Sequence, residues 1–271
     1  MSSSRDALTD PGFWTGFWQA SQTLPVDPRA AFDGEMIAIF RRFGIGPTIR
    51  FLEVGCGDSR WMPWLGKNFG WSVEGIEFTK IGCERAAARL SEEGVSSVIH
   101  EGDVFGEKFN PLKSSFDVVY SGGFIEHFRE TEATVRHIAG FVRPGGAIVT
   151  TVPNMYNLGV DIQRLSGYDF LKTHVRIRLD ELRRWHESAG MRTLISYRTG
   201  FGLQVRLKSL SDAAQSSVPG GRTVRKSLVL GLRSCVRSFR HTCTALGIGE
   251  PRGELVSLNL VYAGGRPTSR G

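Results

Sequence analysis

An acid and then two glycines one residue apart close the run Phe51 to Gly57, FLEVGCG. Glycine has no Cβ, so it accepts positive φ and lets backbone come close to a ligand. A helix beginning beyond such a loop turns free N–H groups toward an anion. The pattern points to a nucleotide-type ligand held at the end of a buried strand. Glu77 lies 22 residues beyond Gly55, about where a carboxylate meets ribose hydroxyls. Asp103 follows a third apolar run and is suited to an exocyclic amine. Glu126 and His127 follow a fourth. Imidazole titrates near neutrality, so His127 is a candidate general base with Glu126 as its partner. The alternative is a structural histidine that shapes its loop.

These residues need strands to carry them to one edge. Apolar runs predict strands at 49–54, 72–76, 97–100, 116–120 and 147–151, with two more at 193–199 and 255–262. Helical patterns lie between them, which argues for a doubly wound α/β sheet. Trp64, Leu65 and Lys67 belong to a helix after the glycine loop, and Leu182 and Trp185 anchor one at 180–189 that stops at Gly190. A helix at 29–43 sets Phe32, Met36, Ile39 and Phe40 on one stripe and is expected on the sheet edge. Ahead of it, Phe13 faces Phe17 and Trp14 faces Trp18 at the i, i+4 offset. This aromatic helix serves either as a lid over the site or as packing outside the sheet. A nicotinamide enzyme would share the acid at 77, but its GxGxxG fingerprint needs glycine or alanine where this chain has Arg60.

Five ordered pieces, EVGCG at 53–57, IE at 76–77, GDV at 102–104, FDVVYSGGFIEH at 116–127 and VRPGGAIVTTVPN at 142–154, together resemble the class I S-adenosylmethionine-dependent methyltransferases. The resemblance runs from about residue 48 to 200, with the terminal strand added. It implies a Rossmann-like sheet of seven strands, the last antiparallel, and S-adenosylmethionine as cofactor. By this resemblance Glu53, Gly55, Cys56 and Gly57 cradle the methionine part, Glu77 with Phe78 holds the ribose, and Asp103 with Val104 contacts adenine. Ser121 lines the same pocket, and no metal is implied. Trp14, Trp18, Asn154, Tyr156, Tyr168 and His174 are the candidates for the acceptor, a small molecule. YSGG stands where the DPPY or NPPY motif of adenine and glutamine methylation would be. O-methylation of a specialised metabolite is therefore the first expectation. A lipid-like quinone or glycolipid acceptor is the second, and a catalytically silent cofactor-binding scaffold is the third.

The expected organisation is an N-terminal helical cap at 1–47 and a catalytic domain at 48–271. Within that domain an acceptor-side insertion occupies about 153–178 and a basic helical insertion about 203–249. The chain carries a formal charge of +7. Eight Lys and Arg against Asp212 place that excess between 203 and 249, where apolar residues recur every three or four positions. An amphipathic cationic helix at 222–246 follows, suited to an anionic acceptor, an acidic membrane surface or a dimer contact. Nucleic acid is not expected, since no stacking aromatics interleave the charges. The polar start MSSSRDALTD has no signal-peptide core and no apolar run approaches a membrane span, so a cytoplasmic protein is expected. Four scattered cysteines predict neither disulfide nor zinc.

Overall fold

The computed structural model describes residues 6–165, 170–201 and 257–268, with isolated positions 231 and 234. Those isolated positions apart, the basic helix expected at 222–246 lies outside the described residues, as does Tyr168.

The sheet has seven strands: β1 (Arg50–Val54), β2 (Ser72–Glu77), β3 (Ser97–Glu101), β4 (Phe116–Gly122), β5 (Val142–Pro153), β6 (Arg192–Phe201) and β7 (Ser257–Gly265). They are ordered β3-β2-β1-β4-β5-β7-β6. β1 to β5 run parallel. β7 is antiparallel to β5 and β6, with Val149 opposite Ala263 and Tyr197 opposite Val261. The doubly wound sheet with an antiparallel last strand is thus as expected. β5 starts earlier than the predicted 147–151, because Val142 already pairs with Phe116 and a register shift absorbs the Arg143–Gly146 turn.

Successive side chains leave a strand on opposite faces. Leu52 and Val119 pack on one face with Val135 and Ile138 of α5 (Thr131–Ala139) and Leu182 of α7 (Leu179–Ser188). Phe51 and Val118 pack on the other, under α2 (Ala31–Arg41), α3 (Trp61–Phe69) and α4 (Lys80–Glu92). As expected, α2 reaches the sheet edge, where its Glu35 accepts from the Tyr197 and Thr199 hydroxyls of β6, but it also extends over the centre of the face. Its Phe40 ring meets Phe51, Trp61, Trp71 and Tyr120 edge-on at centroid distances of 5.2 to 6.1 Å, in the middle of that face. Covering such a ring completely contributes about 1.5–3 kcal/mol, and only the face has room for it.

The aromatic helix is α1 (Pro11–Ala20), started by Pro11 at its first position and by Asp10, whose carboxylate accepts the Phe13 N–H at 2.7 Å. The residues before it form a strap. Ala7 bridges Phe128 in antiparallel fashion and the Leu8 N–H donates to the His127 carbonyl at 2.8 Å. Beyond α1 the chain is clamped to α4. Arg85 donates to the carbonyls of Trp18 and Ser21, and both Arg85 and Arg89 reach the buried Asp58 at 3.2 and 2.9 Å. α6 (Leu158–Leu165) follows β5. Among the described residues, no helix is long and apolar enough to cross a membrane.

Candidate active site

β1 and β4 are sheet neighbours, but the chain winds outward from β1 through β2 and β3 before returning to β4. That reversal opens a crevice at the carboxyl ends of the strands. A cavity of about 490 Å³ occupies it, lined by Gly55, Phe78, Asp103, Val104 and His127 from the strand ends and by Trp14 from α1. Leu8, Phe105, Phe124 and Phe128 give it an apolar wall. A second cavity of about 270 Å³ lies across the glycine loop, lined among others by Trp18, Glu53, Cys56, Tyr120 and Asn259.

Gly55 and Gly57 take φ of +70° and +41°. A Cβ on Gly55 would lie 2.4 Å from the Phe124 ring, and one on Gly57 would lie 2.0 Å from Trp18. Both glycines therefore serve twice, as left-handed turn positions and as floors for aromatic rings. The loop is held from beneath by Glu77, whose two carboxylate oxygens accept the Gly57 N–H at 3.1 Å and the Thr79 N–H and hydroxyl at 2.8 and 2.6 Å. Burial pushes this carboxyl up, and those hydrogen bonds oppose the rise.

Glu53 is also buried and accepts only the Ser59 hydroxyl, at 2.6 Å, so burial drives its pKa up to about 8. An acid with a raised folded-state pKa binds more protons folded than unfolded. Stability is then lost as pH rises from the ordinary value near 4.5 through about 8. Glu53→Gln is expected to lose less melting temperature than wild type across that range, the remainder coming from the buried Glu126 and Glu77 carboxyls. At pH 9 it should melt about 3–6 °C above wild type, the equivalent of ~1–2 kcal/mol. Superimposable pH–stability profiles for the two proteins would contradict the assignment.

Glu126 and His127 form a short 3-10 turn after β4. The His127 Nδ1 donates to the Thr173 carbonyl at 2.6 Å, and its ring meets Trp14 edge-on at 4.9 Å. His174 packs against it, ring centroids 4.5 Å apart, with its Nδ1 2.8 Å from the Thr173 hydroxyl. Glu126 is 1% exposed, neither of its carboxylate oxygens has a hydrogen-bond partner, and burial raises its pKa to about 8. Ligand atoms of Glu126, His127 and His174 all lie within 4.8 Å of one another. The sequence offered no metal-ligand spacing, because His174 is 47 residues from His127. The Val175 N–H, donating to the Glu126 carbonyl at 2.7 Å, is what brings the two segments together.

Of the expected cofactor contacts, Gly55, Phe78, Asp103 and Val104 share the larger cavity, while Glu53 and Cys56 border the smaller one. Gly57 is in the loop itself and Glu77 lies beneath it. Asp103 accepts the Phe105 N–H at 3.1 Å. Ser121 is wholly buried with its hydroxyl unpaired. Of the acceptor candidates, Trp14 lines the larger cavity and Trp18 lies over Gly57, and their rings stack at 5.9 Å. Asn154 and Tyr156 line neither cavity. Asn154 is buried and accepts the Tyr156 N–H at 3.1 Å, and the Tyr156 ring lies 5.3 and 4.3 Å from the guanidinium carbons of Arg176 and Arg178. Sequence reasoning passed over Phe124 and Phe128, which nothing but their neighbourhood to His127 marks out. Cys56 and Cys83 are free thiols.

A family model described as a methyltransferase domain matches residues 29–196. Phosphoethanolamine N-methyltransferase 2 of Caenorhabditis elegans is 31% identical over 169 residues, 62% of this chain and 36% of that protein. Methyltransferase GfsG of Streptomyces halstedii is 24% identical over 134 residues, 49% of this chain and 48% of that one. The chain thus matches less than half the length of these curated relatives. Among solved structures, Haemonchus contortus phosphoethanolamine N-methyltransferase 2, in complex with phosphomonomethylethanolamine and S-adenosylhomocysteine, has a TM-score of 0.54 at 17% identity, covering 87% of this chain and 53% of that one. The [4+2]-cyclase SpnF has the same TM-score at 14% identity, covering 90% and 85%. At such identities these two likenesses concern the fold, which hosts more than one chemistry.

Proposed function

Because the chain belongs to the class I S-adenosylmethionine-dependent methyltransferases, we propose that it methylates an oxygen of a small-molecule acceptor and releases S-adenosylhomocysteine. The observation that carries this reading is the cavity at the strand-order reversal, lined by Gly55, Asp103 and His127 together. The fit of the cofactor rests on Gly55, which lines the larger cavity at φ +70° and leaves its backbone open to a ligand there. Bound S-adenosylmethionine supplies the electrophilic methyl group.

In this reading Glu77 orients the ribose while keeping the glycine loop in place, and Asp103 and the Val104 backbone meet the adenine. Cys56 and Phe78 complete the surround, whereas Ser121, expected there, is fully buried and lines neither of the two cavities. Trp14 and Trp18 close over the site and exclude water, which strengthens every electrostatic interaction inside. The acceptor enters beside Trp14 and presents its hydroxyl to the cluster around His127, which takes up the proton. His174 shapes that end of the site. The apolar walls suit an acceptor with a hydrophobic body, a specialised metabolite or a lipid-like ring.

A second reading follows from the Caenorhabditis elegans relative, whose name specifies the nitrogen of phosphoethanolamine as acceptor. The basic segment 203–249 would complement such a phosphate. An amine acceptor predicts turnover insensitive to His127.

Calorimetric titration with S-adenosylmethionine, S-adenosylhomocysteine and NAD tests the cofactor. Micromolar binding of the first two is expected, weakened at least about tenfold in Glu77→Ala, which loses both the ribose contact and the bond to the Gly57 N–H. Binding of NAD alone, or of none, overturns the reading.

A further inference from the structure

We infer that Glu126, His127 and His174 form a binding site for one divalent transition-metal ion at the acceptor end of the larger cavity. Two imidazoles and one carboxylate are a ligand set that suits zinc, cobalt or manganese rather than magnesium or calcium. Three observations carry it independently of the fold.

The first is the Glu126 carboxylate, 1% exposed, with both oxygens buried and lacking any hydrogen-bond partner. A carboxyl group so placed is costly unless a donor or a cation meets it, and native proteins rarely leave both oxygens bare. The second is the spacing. The Glu126 Oε1 to His127 Nε2 distance is 3.9 Å, too long for a hydrogen bond, and all three ligand groups fall within 4.8 Å. Donors bound at about 2.0–2.1 Å in a tetrahedral site stand ~3.4 Å apart, so the cluster needs to contract by no more than about 1.4 Å. The third is how the rings are held. Thr173 engages the Nδ1 of both, through its carbonyl for His127 and its hydroxyl for His174, at 2.6 and 2.8 Å. Outer hydrogen bonds of this kind fix tautomer and orientation in metal-ligating histidines. The backbone bond from Val175 to Glu126 and the packing of Trp14 on His127 keep the two segments in place.

Three protein ligands leave a position open, and His127 lines the cavity, so that position faces the acceptor. An ion there would lower the pKa of an acceptor hydroxyl bound to it, so that the hydroxyl releases its proton to water before methyl transfer; His127 takes up that proton only in the ion-free protein. The acceptor class this selects has an acidic or chelating oxygen: a phenol, an enol or a vicinal hydroxy-carbonyl. That consequence rests on the methyl-transfer reading, whereas ion binding does not.

The test uses untagged full-length protein stripped with chelator and titrated with Zn²⁺ by calorimetry and with Co²⁺ by visible absorption. One equivalent is expected to bind with a dissociation constant at or below about 10 µM, with cobalt bands of a low-coordinate site. His174→Ala and Glu126→Gln should each weaken it by roughly 10–100-fold. A thermal melt reports whether each variant is folded, and His174, less buried than the other two, keeps the test open if Glu126→Gln fails. Absence of stoichiometric binding, or binding unchanged in a folded His174→Ala, overturns the inference. Loss of the methyltransferase reading would show instead as a missing S-adenosylmethionine isotherm, with the ion titration unaffected.

Discussion

Replacing His127 with alanine is expected to lower kcat/KM for methylation of a hydroxyl acceptor by about 10²–10⁴, the usual contribution of a positioned proton acceptor. Affinity for S-adenosylmethionine should stay within about twofold, because the floor of the cofactor cavity is built by other elements. The geometry concentrates the effect in the acceptor. His127 lines the cavity, its Nδ1 is committed to Thr173, and Trp14 covers its edge. A loss in kcat with cofactor binding intact separates this role from one in folding. Steady-state kinetics with a panel of phenolic and amine acceptors, run beside cofactor calorimetry, make the measurement. Unchanged turnover on a hydroxyl acceptor would remove His127 from the reaction. Cofactor binding without turnover on any acceptor would favour a silent scaffold.

The second large effect is expected at Gly57. Valine there must adopt φ near +41° and places its Cβ where the Trp18 ring lies, 2.0 Å away. Left-handed backbone costs a β-branched residue roughly 1–3 kcal/mol. The clash displaces Trp18 and with it the carboxyl end of α1, which Arg85 clamps. Calorimetry should show S-adenosylmethionine affinity lowered more than about 100-fold, or ~2.7 kcal/mol. In Gly57→Val with Trp18→Ala, relief of the clash should return part of that loss while the φ strain persists, a coupling of about 0.5–3 kcal/mol. Strict additivity of the two substitutions would mean that Trp18 does not close on the loop when cofactor is bound.

The order of motifs along this chain was enough to determine the sheet. Apolar runs of strand length, each ending in glycine or an acid, are local signals. The runs expected at 72–76 and 116–120 became β2 and β4 with ends moved by at most two residues. The glycine loop and the acids at 53, 77 and 103 were legible for the same reason, since a parallel sheet brings every strand's carboxyl end to one edge. Boundaries failed where tertiary pairing overrode turn chemistry, as at Val142 opposite Phe116.

What sequence alone could not decide is which distant segments meet. The amphipathic stripe of α2 says that one face is buried but not against what, and Phe40 chose the sheet face because the rings of Phe51, Trp61, Trp71 and Tyr120 leave its place there. The i, i+4 aromatics of α1 fit a lid and outer packing equally well. The strap at Ala7 and Leu8 and the Arg85 clamp set where it lies, with Trp14 lining the larger cavity and Trp18 over Gly57. Nothing in the spacing joins His174 to Glu126 and His127. One backbone hydrogen bond at Val175 and one shared residue, Thr173, bring them together, because contacts between segments far apart in the chain are set by backbone pairing and packing rather than by any local pattern.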